Sequence, residues 1–522
     1  MGPLNWPIAF VSRLKCTHLG PTRPVRIFAC LGIGWSSLVG VLFFVDPTQA
    51  WRALALGSSY LLTLLVGYLA LSGDIRGWKI PACLTGLLVL NQLLVKITYR
   101  LFIPGFPQRA GDEMFWVAAM QEFQTSSIVP VVAQGPGIYF IVRLLSPFFG
   151  GNYNEALIGM TILVGSIYVV PLIAVQYAMT DSGRLALVAA AISVSFDVIA
   201  YSTTIARPTI IAILLVPSLI YLFVECRKRN SIPVWLALFL LSLILLFTHP
   251  IGWVSFLVII SAVWLIFGFR TRIEKIGTVL IFGIYGLALS LGKSVLLGSS
   301  VIWTRELMSK TPLALLSENA RNELLPICFL IPPLLLLIFD SVRKRYLLRL
   351  TSMIHAALPA RRLLRVVSLT ALGLAAVFVY AIWSKYADYI MTTYGDWPLF
   401  IALHGWKIPM AVLAMYGVIL IISARRRSDG SSIALAWLLS IMGIVIFLAL
   451  FLPYQGSPGL QNVDERFFEF AIFPAATFIA YGLDGLGKRM PSPVARILLM
   501  LLFSTYVVVS LMVGLRDPIL FH

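Results

Sequence analysis

Charged side chains are scarce in this sequence. Only 12% of the 522 residues are Asp, Glu, Lys or Arg, about half the fraction typical of a soluble protein. Hydrophobic residues make up 59% of the chain, and the mean hydropathy is +0.92. This composition excludes an ordinary soluble protein of this size and indicates a membrane protein.

Cysteine is rare, and nucleotide-binding motifs are missing. The five cysteines form no Cys-x-x-Cys pair and no disulfide framework, which argues against a zinc site built on cysteine. The sequence has no Walker motif or other glycine-rich nucleotide loop, so ATP-driven transport is disfavoured. The first 26 residues are mixed and basic and precede a long apolar run, so we expect no cleavable signal peptide.

Apolar runs of 18 or more residues recur from residue 27 to residue 515. Each is long enough to cross a hydrocarbon core of roughly 30 Å as a helix, and their continuous character does not match the alternating strands of a β-barrel. We therefore predict an all-α polytopic membrane protein, a single transmembrane domain over 1–522 with about 15 spans. The predicted spans are 27–46, 54–72, 80–97, 157–177, 185–201, 207–224, 232–248, 251–269, 275–296, 324–341, 366–384, 407–424, 432–452, 467–485 and 495–515.

The distribution of basic residues predicts the orientation. The formal net charge is +18, and 26 of the 40 Lys and Arg residues fall on the cytoplasmic side if the N-terminus is cytoplasmic. Residues 342–365 form a basic segment that we expect to lie as an amphipathic helix on the cytoplasmic surface. The compact loops and missing retention signals favour a prokaryotic cytoplasmic membrane, with an active site on the extracytoplasmic face.

The first long outer loop, residues 98–156, carries the most informative pattern. Phe115, Ala119 and Phe123 lie four residues apart, which predicts a short interfacial helix with one apolar face and Asp112 at its N-terminus. A second short helix is predicted to start near Pro136 and to end at Gly150. Two interfacial helices would then connect the third and fourth spans.

These motifs resemble the GT-C glycosyltransferases, among them the protein O-mannosyltransferases and the aminoarabinose transferases of lipid A. The matching stretches are Gly111-Asp112-Glu113, Gly135-Pro136-Gly137-Ile138-Tyr139, Pro147-Phe148-Phe149-Gly150 and 182–219. The resemblance covers roughly residues 98–225. The chain departs from it at Gln134, where family members often carry Lys or His, and at Gly135, which replaces the first proline.

The resemblance implies an inverting transfer of a sugar from a polyprenyl-phosphate donor to an acceptor hydroxyl of a glycan, lipid or protein. Such a reaction needs a carboxylate base and positive charge or a divalent metal ion at the leaving phosphate. Asp112 with the adjacent Glu113 is the candidate base, although its position suits a helix N-cap equally well. Nucleic acid is not expected as a partner, because the basic residues are explained by topology.

Other polar and aromatic residues are candidates for binding. The donor phosphate is assigned to Arg466, Arg207 and His249, and sugar or acceptor contacts to Trp116, Gln134, Tyr139 and Tyr454. His249 precedes Pro250 and could equally be a turn residue that ends a helix. Arg207 could also form a structural ion pair with Asp197 near the outer ends of neighbouring spans.

Two other classes of function stay open from the sequence. A secondary transporter or a lipid-linked glycan flippase would favour two similar halves and polar residues near the bilayer midplane. We find no convincing internal repeat, and the charged residues that are candidates for binding lie at the outer ends of the spans and not near the midplane. A non-catalytic assembly protein that keeps the fold is the third possibility.

Overall fold

The structure is a computed structural model that describes residues 79–102, 111–126, 137–291, 334–340, 407–423, 429–451 and 463–489, together with part of 54–66 and the single positions 373, 503 and 510. Within these residues the chain is helical and contains no β-strand, as the continuous apolar runs predict. The helices are α1 (Lys79–Phe102), α2 (Gly111–Ser126), α3 (Gly137–Leu145), α4 (Tyr153–Ile167), α5 (Val169–Thr180), α6 (Gly183–Ser195), α7 (Asp197–Ser202), α8 (Thr209–Arg229), α9 (Ile232–Thr248), α10 (Pro250–Phe267), α11 (Arg272–Leu291), α12 (Lys407–Ser423), α13 (Asp429–Phe451) and α14 (Val463–Arg489).

Several of these helices are long and apolar enough to cross a membrane. The four that meet both criteria are Tyr153–Thr180, Thr209–Arg229, Pro250–Phe267 and Phe467–Arg489, and the first of these joins α4 and α5. Shorter apolar helices, such as Ile232–Thr248, accompany them. The chain is therefore a helical membrane protein, whereas the count of about 15 spans stays a prediction. The predicted span 27–46 and the basic segment 342–365 lie outside the described residues, as does nearly all of the predicted spans 366–384 and 495–515.

Local side-chain chemistry sets the helix boundaries. The Asn152 side chain caps α4 by accepting hydrogen bonds from the backbone N–H groups of Asn154 and Glu155, and Ser182 caps α6 in the same way through Leu185. Asn230 ends α8 in the left-handed conformation, with φ of 49°, which a short polar side chain tolerates. The sequence therefore places sharp turns between successive apolar runs.

The core is formed by the long helices crossing one another. α14 packs along α12 and α13, α6 packs between α5 and α14, and α8 packs against α5, α9 and α10. Trp253, Trp264, Trp437 and Phe473 are fully buried at these crossings. The short helices α2 and α3 pack on α4, so the first predicted loop lies against the bundle.

Glycine permits the closest of these helix crossings. A Cβ added at Gly417 of α12 would lie 1.9 Å from the Phe478 carbonyl oxygen of α14, and one at Gly482 of α14 would lie 2.3 Å from the Leu413 oxygen. A methyl group cannot fit at either distance without moving a backbone. The two glycines therefore set the spacing between α12 and α14, as small residues do in membrane helix pairs.

Gly417→Ala is expected to destabilise the protein by forcing α12 and α14 apart. The matched control is Gly443→Ala in α13, where an added Cβ meets no atom within 4 Å and alanine favours the helix by about 1 kcal/mol. Thermal unfolding in detergent should show a lower midpoint for Gly417→Ala and an equal or higher midpoint for Gly443→Ala. Equal midpoints for the two variants would contradict the close crossing.

Candidate functional site

Charged and polar side chains, nearly all of them buried, gather at the helix ends that the sequence predicts to be on the outer side. We call this group the polar layer; its members are Arg100, Glu113, Asp197, Ser202, Arg207, Lys407 and Glu469. They come from six elements: the C-terminal turn of α1, the start of α2, α7, the turn that follows α7, the start of α12 and the first turns of α14. Charges at membrane depth are costly, so their clustering marks this level of the bundle as the candidate site.

Glu113 of the polar layer ties the start of α2 to α1 and to the turn after α7. Glu113 is fully buried and forms an ion pair with Arg100. Its Oε2 also accepts hydrogen bonds from Arg100 Nη2 and from the Ala206 backbone N–H, both at 3.1 Å. Arg100 in turn donates to the Thr204 carbonyl at 2.8 Å. This network fixes the start of α2, and with it the backbone of Asp112, against residues 204–206.

The turn after α7 is held on its other side by α14. Arg207 Nη2 pairs with Glu469 Oε1 at 3.0 Å, and the Ser202 hydroxyl donates to the same oxygen at 2.7 Å. The Arg207 guanidinium also lies over the Tyr201 ring, 5.2 Å from its centroid. Residues 202–207 therefore connect Glu113 on one side with Glu469 on the other.

The sequence suggested that Arg207 forms an ion pair with Asp197, and the structure pairs each of them with a charge on another helix. Asp197 pairs with Lys407 at 2.6 Å, whereas Arg207 pairs with Glu469. α7 is only six residues long, and the polar side chains at its two ends reach different helices, α12 at Asp197 and α14 at Ser202.

His249 acts as a turn residue in this structure. Its ring is 1% exposed, and Nδ1 accepts a hydrogen bond from the Gly252 backbone N–H at 2.9 Å, which caps α10. Nε2 lies 3.4 Å from the Thr209 hydroxyl at the start of α8. Because Nδ1 accepts, the proton of the neutral ring lies on Nε2. The ring thus joins the first turns of α8 and α10.

His249→Asn is expected to keep both stability and activity, because asparagine is also a good N-cap. His249→Ala should lower the free energy of unfolding by about 1–2 kcal/mol through loss of the cap. Thermal unfolding and activity measured on the same preparations separate the two roles. Loss of activity in the asparagine variant at normal stability would show that the imidazole itself binds a ligand.

Two of the three aromatic residues proposed to contact the substrate, Trp116 and Tyr139, lie in the core. Trp116 is 3% exposed and Tyr139 is fully buried; their ring centroids are 6.1 Å apart, and Tyr139 also meets Phe123 at 5.2 Å. Burial raises the pKa of the Tyr139 phenol above its usual value, and the nearby Glu122 carboxylate adds to the rise. These rings hold α2 against α3, and in this structure neither is open to a ligand.

The remaining predicted residues lie outside what the structure describes in full. Asp112 and Arg466 belong to the first turns of α2 and α14, whose backbones are described although these side chains are not. Arg466 precedes Glu469 by three residues, about one helical turn. Gln134 and Tyr454 lie outside the described residues. The structure thus brings the backbones of Asp112 and Arg466 to two sides of the polar layer.

Sequence reasoning missed Arg100, Glu469 and the buried Lys96. Lys96 and Glu469 both fall inside predicted spans, 80–97 and 467–485. A charge within an apolar run is by itself a sign of an internal contact or a function, so this signal was present in the sequence. Arg100 lies just past its span and could be assigned a role only once its distant partner was known.

The expected reaction allows a divalent metal ion at the leaving phosphate. The described side chains contain no group of three or more His, Cys, Asp and Glu residues that could hold a metal ion. The carboxylates of the polar layer, Glu113, Asp197 and Glu469, each face a basic side chain instead. The donor set in this part of the chain therefore does not fit a divalent metal ion.

Comparison with known proteins gives structural neighbours only. No protein-family model matches the chain, and no curated protein matches it. A crystal structure of an oligosaccharyltransferase from Archaeoglobus fulgidus, tethered to an acceptor peptide, matches the chain at 13% sequence identity with a TM-score of 0.48. A second crystal structure of this enzyme, in complex with Zn and sulfate, matches at 12% identity with a TM-score of 0.45. A structure of this archaeal enzyme with an inhibitory peptide and a dolichol-phosphate matches at 12% and 0.46.

The three matches each cover 83% of this chain and between 53% and 56% of the solved chain, so this chain spans about half the length of the structures it matches.

Proposed function

We propose that the protein is a membrane glycosyltransferase that moves a sugar from a polyprenyl-phosphate donor to an acceptor hydroxyl, with inversion at the anomeric carbon. The observation that carries the proposal is the polar layer. It holds the start of α2, with Asp112, and the first turns of α14, with Arg466, against the same connecting residues 202–207. A base and a phosphate-binding cation are thereby supported by one rigid network.

The geometry supports a division of labour between adjacent residues. Glu113 is occupied by Arg100 and the Ala206 N–H, so it positions α2 and does not act as the base. Arg207 is likewise occupied by Glu469 and Ser202, so it positions α14. Asp112 and Arg466, the neighbours of these two anchors, are assigned the contacts with the substrate. Such a supporting shell is what keeps reacting groups in place.

In the proposed reaction the acceptor hydroxyl attacks the anomeric carbon from the face opposite the phosphate. Its proton passes to the Asp112 carboxylate as the new carbon–oxygen bond forms. The bond between the anomeric carbon and the phosphate oxygen breaks, and the oxygen keeps the electron pair. Arg466 meets the charge that develops on the leaving polyprenyl phosphate. The chemistry of the donor's tail explains a site at the level where apolar helices end.

The test is transfer from a panel of radiolabelled polyprenyl-phosphate sugars by the purified protein in lipid nanodiscs. Transfer to an acceptor, or hydrolysis of one donor, is expected, and NMR of the product should show an inverted anomeric centre. If no donor reacts and the protein instead moves a labelled lipid-linked glycan across a vesicle membrane, the proposal fails and the flippase alternative replaces it.

A further inference from the structure

Lys96 is a fully buried cation that the network described so far does not use. It lies in α1, one helical turn before Arg100, and its side chain is 1% exposed. Its ammonium donates to Gln92 Oε1 at 3.1 Å and lies 6.0 Å from the centre of the Tyr168 ring. Within the described part of the chain, no carboxylate pairs with it, whereas Arg100, Arg207 and Lys407 each have one.

A buried lysine without a carboxylate partner lowers the stability of the folded protein. An amide oxygen and an aromatic face compensate a buried ammonium only in part for the loss of its hydration. Methionine has a similar length and would fill the same space without that cost. A residue that lowers stability at a buried position is often retained because it serves a function.

The surroundings place Lys96 directly beside the polar layer. A Cβ added at Gly165 of α4 would lie 2.5 Å from Lys96 Cε and 2.5 Å from the Thr203 carbonyl oxygen. The lysine stem therefore passes over a glycine next to the turn that connects Glu113 with Glu469. Four side-chain torsions let the ammonium move between Gln92 and this turn while α1 stays in place.

We propose that Lys96 supplies the positive charge that balances a lipid-linked phosphate group when it enters the polar layer. This inference rests on the proposed function, since it names a further binding residue for the same donor. Each carboxylate of the polar layer already faces a cation. Among the described residues Lys96 has no acidic partner, so its charge is available to an arriving phosphate monoester. Its low-dielectric surroundings strengthen the attraction to an anion.

The experiment measures binding of radiolabelled polyprenyl phosphate, without a sugar, to the full protein in nanodiscs. Lys96→Met is expected to weaken binding at least tenfold, whereas Lys96→Arg, which keeps the charge, should stay within about threefold. Polyprenol, which lacks the phosphate, should bind both the unmodified protein and Lys96→Met weakly and equally. Competition by inorganic phosphate distinguishes a site for the free ion from one that needs the lipid.

Two controls separate binding from folding. Lys275→Met removes another lysine, which lies in the first turn of α11 and pairs with Asp340 at 3.2 Å, and should leave polyprenyl-phosphate binding unchanged. Lys96→Met should unfold at the same or a higher temperature than the unmodified protein, because it removes a buried charge. If Lys96 stabilises the fold, Lys96→Met should instead unfold at a lower temperature than the unmodified protein.

The outcomes distinguish this inference from the proposed function. Unchanged phosphate binding in Lys96→Met, with sugar transfer and KM also unchanged, would overturn the inference and leave the glycosyltransferase proposal standing. Binding that depends on Lys96 in a protein that transfers sugar from no donor would support the inference and contradict the proposed function.

Discussion

Asp112→Asn is expected to lower the rate of sugar transfer by about 10²–10⁴-fold, the contribution of a positioned general base. Asparagine keeps the shape of the side chain at this position in the first turn of α2, so α2 should begin at the same place. It cannot accept the proton of the attacking hydroxyl. The measurement is single-turnover transfer from the preferred polyprenyl-phosphate sugar, with donor binding measured separately.

The comparison that decides the role of Asp112 is with Glu122→Gln. Glu122 lies in the same helix, α2, and is exposed, so removing its charge should leave transfer unchanged. Donor binding by Asp112→Asn should also be close to that of the unmodified protein, because the base acts on the acceptor. A variant that transfers at the normal rate would leave Asp112 only a structural role in the first turn of α2 and move the base to another carboxylate.

Much of the local structure follows from the sequence. The spacing of Phe115, Ala119 and Phe123 predicts a helix with an apolar face, and α2 buries Ala119 and Phe123 while leaving Phe115 half exposed. Pro136 and Gly150 bracket α3 and the 3-10 turn Ser146–Phe149 that follows it. Short-range rules suffice here because caps, proline and glycine act within one turn of the chain.

The pairing of charges could not be predicted in the same way. Arg207 and Glu469 are 262 residues apart, and Arg184 pairs with Asp484 across 300 residues. A single sequence shows that each charge needs a partner, although it does not show which of several helix ends meets it. Asp197 and Arg207 were close in sequence and opposite in sign, which made them the obvious pair. The packing of α12 and α14 supplied other partners.

The burial of Trp116 and Tyr139 also depends on contacts between separate helices, which a single sequence does not identify. Trp116 lies one helical turn after the candidate base and Tyr139 lies in the next short helix, and aromatic rings near a sugar site suggest stacking. The side of a short helix that faces the bundle depends on its neighbours, here α3 and α4, which the periodicity of α2 alone does not identify. Aromatic residues at membrane level also serve as packing elements and anchors.

Glu113→Met should lower the free energy of unfolding by about 3–5 kcal/mol, since it leaves the Arg100 guanidinium buried without its carboxylate. The Ala206 N–H would lose its acceptor as well. Equilibrium unfolding in mixed micelles provides the measurement. The surface control is Lys488→Met, since Lys488 is 69% exposed and pairs with Asp484, and its loss should cost about 1 kcal/mol or less.

The double variant Arg100→Met with Glu113→Met separates two effects on the free energy of unfolding: the net contribution of the ion pair, and the cost of leaving one buried charge without its partner. Removing both charges should recover much of the lost stability, because an apolar replacement of a buried ion pair is often close to neutral. Activity should not return with it, because α2 would lose its link to residues 204–206 and Asp112 its fixed position. If stability and activity recover together, the pair serves folding alone, and the polar layer does not position the base.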